Sequence, residues 1–219
     1  MPGIRFFTLI FAIIVILSGS AFAQGDYLPY GTDGYQVFGG ASGNTDVSGF
    51  LVGYGYSSGG VIDCGLSLGL GNYRSSTICI FTPAVVFYPL KQGRFNMPVS
   101  LALGLKGQLN QYIGENSETS SEFYYSFGGW LLRNFRISSS FLIQPSVGFS
   151  HIKGQDVEDY EEDTFGDAGL SFFMENLNKN LIFKIDFGVS AGKEITNYTF
   201  AVGVVVNPEK NKRVSKRRW

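Results

Sequence analysis

The 219-residue chain has a single histidine, His151, in the segment FSHIKGQDVEDYEED. Ser150 adjoins it, and Asp156, Glu158, Asp159, Glu161, Glu162 and Asp163 follow, six carboxylates in eight residues. A hydroxyl beside a histidine, with a carboxylate to orient the ring, is the minimal kit for hydrolytic chemistry. A carboxylate cluster can instead gather a divalent cation, since calcium takes several oxygen ligands. Local geometry argues against both. Neighbours on a strand project to opposite faces, so Ser150 and His151 do not form a dyad, and His151 shares the face of Phe149. An interfacial or structural role is expected for it. The acids lack the ligand spacing and the glycine of an EF-hand. They read as a solvated loop, with contact to a cation or a cationic partner as the functional alternative. No catalytic residue, no cofactor and no enzyme are expected.

A second set of charges lies in otherwise apolar surroundings: Asp63, Lys106, Asp167, Lys184 and Asp186. Cys64 and Cys79 are the only cysteines, too few for a disulfide framework. They are expected on neighbouring strands, about equidistant from the turn at Asn72-Tyr73, either bridged or as two buried thiols. Residues 210–219 hold six basic side chains in a tail, KNKRVSKRRW. It reads as a solvated terminus, or as a contact with anionic headgroups or peptidoglycan-associated acids.

These residues are positioned by a run of alternating segments. In LIFKIDFGVSAG, Leu181, Phe183, Ile185, Phe187 and Val189 alternate with Ile182, Lys184, Asp186, Gly188 and Ser190. Strict alternation of this length is a strand with two unlike faces. Ten such strands are expected, at about 34–42, 46–57, 60–72, 76–90, 96–111, 123–133, 139–152, 165–175, 180–192 and 196–207; eight is the alternative, with 34–57 as a separate hairpin. Phe50, Val52, Tyr54 and Tyr56 oppose Gly49, Leu51, Gly53 and Gly55, and Leu66, Leu68 and Leu70 oppose Gly65, Ser67 and Gly69.

A soluble sandwich would show lysine, glutamate and threonine on its outer face. Here the faces opposite the large residues are mostly Gly, Ser and Ala. Large residues facing lipid, with small and polar ones inside a narrow lumen, is the pattern of a transmembrane β-barrel. In a bilayer every backbone polar group must be paired, so the sheet has to close. The five charges above then face the lumen. A mixed-sign set in so narrow a space reads as paired ions filling it, with a narrow pore as the alternative.

Connection parity gives an independent check. The two longest connections, YIGENSETSSE and KGQDVEDYEEDTF, follow the fifth and seventh strands and so lie at one end. They carry Glu115, Glu118, Glu122 and the six acids of 156–163. The intervening turns are short and basic, with Lys91, Arg94, Arg133, Arg136 and Lys179 against Glu175 alone.

Residues 1–23 have a basic Arg5, an apolar run from Phe6 to Leu17 and the small-residue site Ala21-Phe22-Ala23. This reads as a secretory signal peptide with the cut expected before Gln24; a transmembrane anchor is the alternative, but a run this short does not reach the roughly 20 residues of a helical span. The expected organisation is a signal peptide at 1–23, a periplasmic segment at 24–33, a barrel at 34–207 and a basic periplasmic tail at 208–219.

With its signal peptide, loop asymmetry and the glycine-aromatic stretches FLVGYGY, LSLGLGNY and YTFAVGVVV, the chain resembles the small outer-membrane β-barrel proteins of Gram-negative bacteria, of the OmpA/OmpX-like type. The resemblance covers 34–207. It implies an up-and-down closed antiparallel barrel in the outer membrane, inserted by the barrel-assembly machinery and in contact with lipid and lipopolysaccharide. A structural or surface-interaction role through acidic extracellular loops, toward an unnamed extracellular ligand, is the first expectation; a porin-like channel is the second and an outer-membrane hydrolase the third. Barrels of this type end on an aromatic residue that completes the last strand. Here EKNKRVSKRRW follows that strand, so the assembly signal is expected within YTFAVGVVV.

Overall fold

The computed structural model describes residues 28, 31–43, 47–73, 76–113, 119–155, 162–176, 180–193 and 196–206. The expected signal peptide at 1–23, the expected basic tail at 208–219 and the parts of the acidic connections at 114–118 and 156–161 lie outside the described residues. Ten long strands are formed: β1 Gly34–Gly43, β2 Val47–Ser58, β3 Ile62–Tyr73, β4 Ser76–Leu90, β5 Ser100–Ile113, β6 Thr119–Leu132, β7 Phe141–Gln155, β8 Asp163–Asn176, β9 Leu181–Ala191 and β10 Thr196–Val206. Phe135–Arg136 adds a two-residue bridge beside β7. Each strand pairs antiparallel with the next, and β1 pairs with β10 from Tyr35↔Val206 to Gly43↔Tyr198. The sheet is therefore a closed up-and-down meander of ten strands, with 34–57 inside it as β1 and β2. Closure leaves no edge, so the ladder supplies partners for the backbone polar groups.

The alternation sets the faces. Phe50, Val52, Leu68, Val147 and Tyr198 are all more than 60% exposed, while Gln36, Ser67, Thr82, Gln108, Gln144 and Ser171 are buried on the inner side. An apolar surface of this extent on a lone chain in water would be an aggregation hazard; against lipid it is ordinary. Phe141, Phe172, Phe187 and Phe200 run ring to ring across β7–β10 on that outer face, with centroids 6.1, 6.1 and 5.2 Å apart. Tyr35, Tyr54 and Tyr56 cluster on β1 and β2 toward the end that carries both strand termini.

Two expectations need correction. The interior is not built of small residues alone. Phe38, Val86, Tyr88 and Leu132 form one buried cluster with Trp130 packed against it, and Leu28, Leu142, Phe173, Ile182 and Val205 form another. Alternation decides which way a side chain points, whereas its size is matched to residues across the lumen.

Connection length also fails to separate the two ends. At the end carrying the termini, hereafter the terminal mouth, the connections are 59–61, 91–99, 133–140 and 177–180. At the distal rim they are 44–46, 74–75, 114–118, 156–162 and 192–195. The acidic segments look long in sequence because the β5–β6 and β7–β8 hairpins continue well into them as strand. Charge separates the ends; length does not.

Candidate functional site

The five isolated charges occupy the lumen side of the wall. On β9, Lys184 and Asp186 share a face two residues apart. Their side chains form an ion pair of 3.0 Å with almost no solvent exposure. Lys184 also lies 5.5 Å from the Phe173 ring centroid. Such a pair must be satisfied on both sides, because a lone buried charge is far costlier than the pair is favourable.

Asp167 of β8 is a junction. It accepts from Trp130 Nε1 at 3.1 Å and from Ser190 Oγ at 2.7 Å, and it lies within electrostatic reach of buried Lys106 of β5. One carboxylate thereby ties β5, β6, β8 and β9 together through the lumen. Asp63 of β3 accepts from Tyr88 Oη at 3.0 Å nearer the terminal mouth.

Trp130 is the largest inward side chain at this level, and glycine makes room for it. A Cβ at Gly104 would come within 2.7 Å of the indole, and one at Gly128 within 2.8 Å. These glycines are needed for close approach rather than for an unusual backbone angle. With Trp130, Lys106 and Asp167 at mid-height, the lumen is occupied by side chains. Toward the rim, Tyr112 Oη and Tyr124 Oη both donate to Glu122 Oε2, at 2.7 and 2.5 Å. Buried Ile78, Ile152 and Phe165 flank that end. Glu122, expected in the long loop after the fifth strand, is instead an inward residue of β6.

The terminal mouth is corked. Leu28 is fully buried among Leu142, Phe173, Ile182 and Val205. Lys91 Nζ donates to the carbonyl oxygens of Leu28 and Gly60, so this lysine is a buried clamp and not the exposed turn charge expected from sequence. Gly31 N donates to Gly59 O at 2.7 Å, and Gly59 N to Asp33 Oδ1 at 2.7 Å. The segment preceding β1 is thus folded against the mouth at these points.

The distal rim holds the described part of the acidic set. His151 lies on the outer face, 5.1 Å from the Phe127 ring. Its Nδ1 is 3.0 Å from Thr164 Oγ1, and its Nε2 is 3.6 Å from Glu162 Oε2. Glu162 also bonds Lys153. That hydrogen bond and charge, with His151 adding a smaller share, hold the Glu162 carboxyl below the usual carboxylate range. Ser150 is buried on the lumen side, away from His151, so the adjacent pair makes no dyad. Glu162 and Asp163 are at the base of the acidic loop, while Asp156, Glu158, Asp159 and Glu161 lie outside the described residues.

The cysteine expectation is overturned. Cys79 is opposite Leu70 and Cys64 opposite Val85, because the β3–β4 turn falls at 74–75, close to Cys79 and far from Cys64. The two are six positions apart along the ladder, roughly 20 Å at strand rise, well beyond disulfide reach. Both are free, and Cys64 is exposed on the outer face instead of buried.

Sequence reasoning missed the Leu28–Lys91 cork, the Trp130–glycine fit and the inward Glu122. Trp130 had a visible signal, since it falls on the same parity as Ser126 and Gly128. Leu28 had none, because it precedes the first alternating segment.

No family profile and no curated protein matches the chain. Among solved structures, the translocator domain of the autotransporter NalP from Neisseria meningitidis aligns at 14% identity with a TM-score of 0.55, covering 86% of this chain and 92% of that one. The β domain of the Bordetella autotransporter BrkA aligns at 10% identity and 0.48, over 82% and 100%. The porin NanC aligns at 9% and 0.41, over 79% and 98%. The likeness is one of fold, a closed outer-membrane-type β-barrel. Nothing in it is specific to the OmpA/OmpX-like type.

Proposed function

We propose that this chain is an integral β-barrel of a Gram-negative outer membrane, with its terminal mouth in the periplasm, its lumen closed and its acidic rim outside. It acts without enzymatic chemistry, as a structural or surface-interaction protein whose contacts are made by the loops at 114–118 and 156–162. Outer-membrane lipid and lipopolysaccharide surround it, and the barrel-assembly machinery inserts it. The observation that carries this reading is the filled lumen: Lys184–Asp186 and the Asp167 junction occupy it from the wall, and Leu28 closes its mouth. Paired charges of both signs favour a plug over a conduction path.

A narrow channel is the second reading, favoured by one observation. Gln36 Nε2, Asn110 Nδ2 and Ser150 Oγ are buried without a hydrogen-bond partner among the described residues, which is the condition under which internal water is found. Planar-bilayer recording of the purified barrel separates the two. The closed barrel gives no unitary conductance, and Lys184→Glu creates none; steady single-channel steps altered by Lys184→Glu would establish the channel instead. Protease treatment of intact cells tests the orientation, with cleavage expected within 156–162 and none in the connections at 91–99 or 133–140.

A further inference from the structure

The seam between β4 and β5 is interrupted in the middle of the barrel wall. Phe81 pairs with Leu109 and Ala84 with Lys106, yet the pairing lapses at the two positions between them. The register is the same on both sides of the gap, so no residue is inserted and the interruption is not a bulge. Its cause is Pro83, which stands opposite Gly107 in this register. On the other side of β4 the ladder to β3 runs unbroken, with Leu66 opposite Pro83, so the lost hydrogen bond belongs to β5. Proline has no N–H, and the Gly107 carbonyl is left short of its ladder donor. Proline in a sheet is otherwise confined to edges and bulges, and a bilayer offers no water to make good the loss.

A hollow of about 500 Å³ lies over this break on the outer face. Tyr54, Tyr56, Leu66, Val85 and Leu105 wall it, and Pro83 and Gly107 form its floor. It exists because Gly107 has no side chain. Nothing local demands a glycine there. Gly107 is not among the glycines with positive φ, and a Cβ would meet Phe123 at 3.4 Å and Pro83 at 3.6 Å, which is ordinary contact. One position therefore withholds a donor, and the position facing it keeps the acceptor within reach from the lipid side.

We infer that this hollow seats one hydroxylated acyl chain of a membrane lipid, with its hydroxyl donating to Gly107 O and its hydrocarbon lying between Tyr54, Leu66, Val85 and Leu105. Two requirements select that occupant. The walls are apolar and Tyr54, Leu66, Val85 and Leu105 are exposed on the lipid-facing surface, so the body of the occupant is hydrocarbon. The floor presents an acceptor, which a plain alkyl chain cannot satisfy and a hydroxyl can. Headgroup donors stay at the membrane surface, whereas Pro83 and Gly107 are near the middle of their strands. The donor is therefore carried on the chain itself. Its hydrogen bond forms in a medium of low dielectric, where such bonds are strongest.

The inference rests on the reading of the outer wall as lipid-facing. The test is native mass spectrometry of the purified folded barrel titrated with stearic acid carrying a mid-chain hydroxyl and, separately, with stearic acid. The wild type should retain the hydroxylated chain about fivefold better, the worth of one hydrogen bond. Pro83→Ala returns an N–H to the ladder and leaves the hollow open, so it should retain the two acids equally. Gly107→Leu fills the hollow and should lose both. Equal retention by the wild type overturns the site. So does a preference that survives in folded Pro83→Ala, or undiminished retention by folded Gly107→Leu. A two-barrel species seen without added lipid and abolished by Gly107→Leu gives the hollow to a second copy of this chain, and overturns the lipid as occupant. A chain recovered in the soluble fraction of cells sinks the lipid-facing reading itself, whereas equal retention by a membrane-located barrel sinks only the acyl-chain site.

Discussion

At the level of single residues, the lumen is an electrostatic construction. Lys184 and Asp186 are taken out of water together, and their mutual attraction offsets a desolvation cost that neither could bear alone. Lys184→Met strands the Asp186 carboxylate and should cost about 3–5 kcal/mol, read as a fall in the urea midpoint of unfolding from lipid. Lys184→Met/Asp186→Leu removes both charges and should recover most of that loss. A single variant as stable as the wild type would mean the pair is hydrated, and the plug account would fail. The lumen side of both residues was legible in the alternation of LIFKIDFGVSAG. What they touch was not, because Phe173 and Ser171 reach them through β8–β9 register, which no local pattern encodes.

At the level of elements, the strands were legible because a period of two over ten or more residues admits few alternatives. Their number and the inward side of each followed from the same pattern. Three features were out of reach for physical reasons. The fit of Trp130 against Gly104 is made between β6 and β5, so it depends on register as well as on the Gly128 of its own strand. The inward turn of Glu122 depends on β6 starting as early as Thr119, which a hydrophilic stretch such as SETSSE does not announce. The cork depends on Lys91, a residue whose sequence position at a turn gives no hint of burial. Its role has a direct test. Lys91→Met removes the donor to Leu28 O and Gly60 O, so the segment before β1 should become accessible to limited proteolysis at least several-fold faster than in the wild type, while the barrel itself stays resistant. Unchanged cleavage would show that Leu28 is held by packing alone.

At the level of the whole molecule, closure, inside-out polarity and segregated end charges form one argument. A sheet that pairs β1 with β10 has no edge to protect, and an outer face of Phe, Leu, Val and Tyr has no place in water. The central claim is a closed barrel in the outer membrane, and heat-modifiability with cell fractionation tests it most directly. The account predicts that the protein sediments with the outer membrane and migrates faster on SDS gels before boiling than after. A soluble periplasmic pool with a single migration position in both conditions would contradict it.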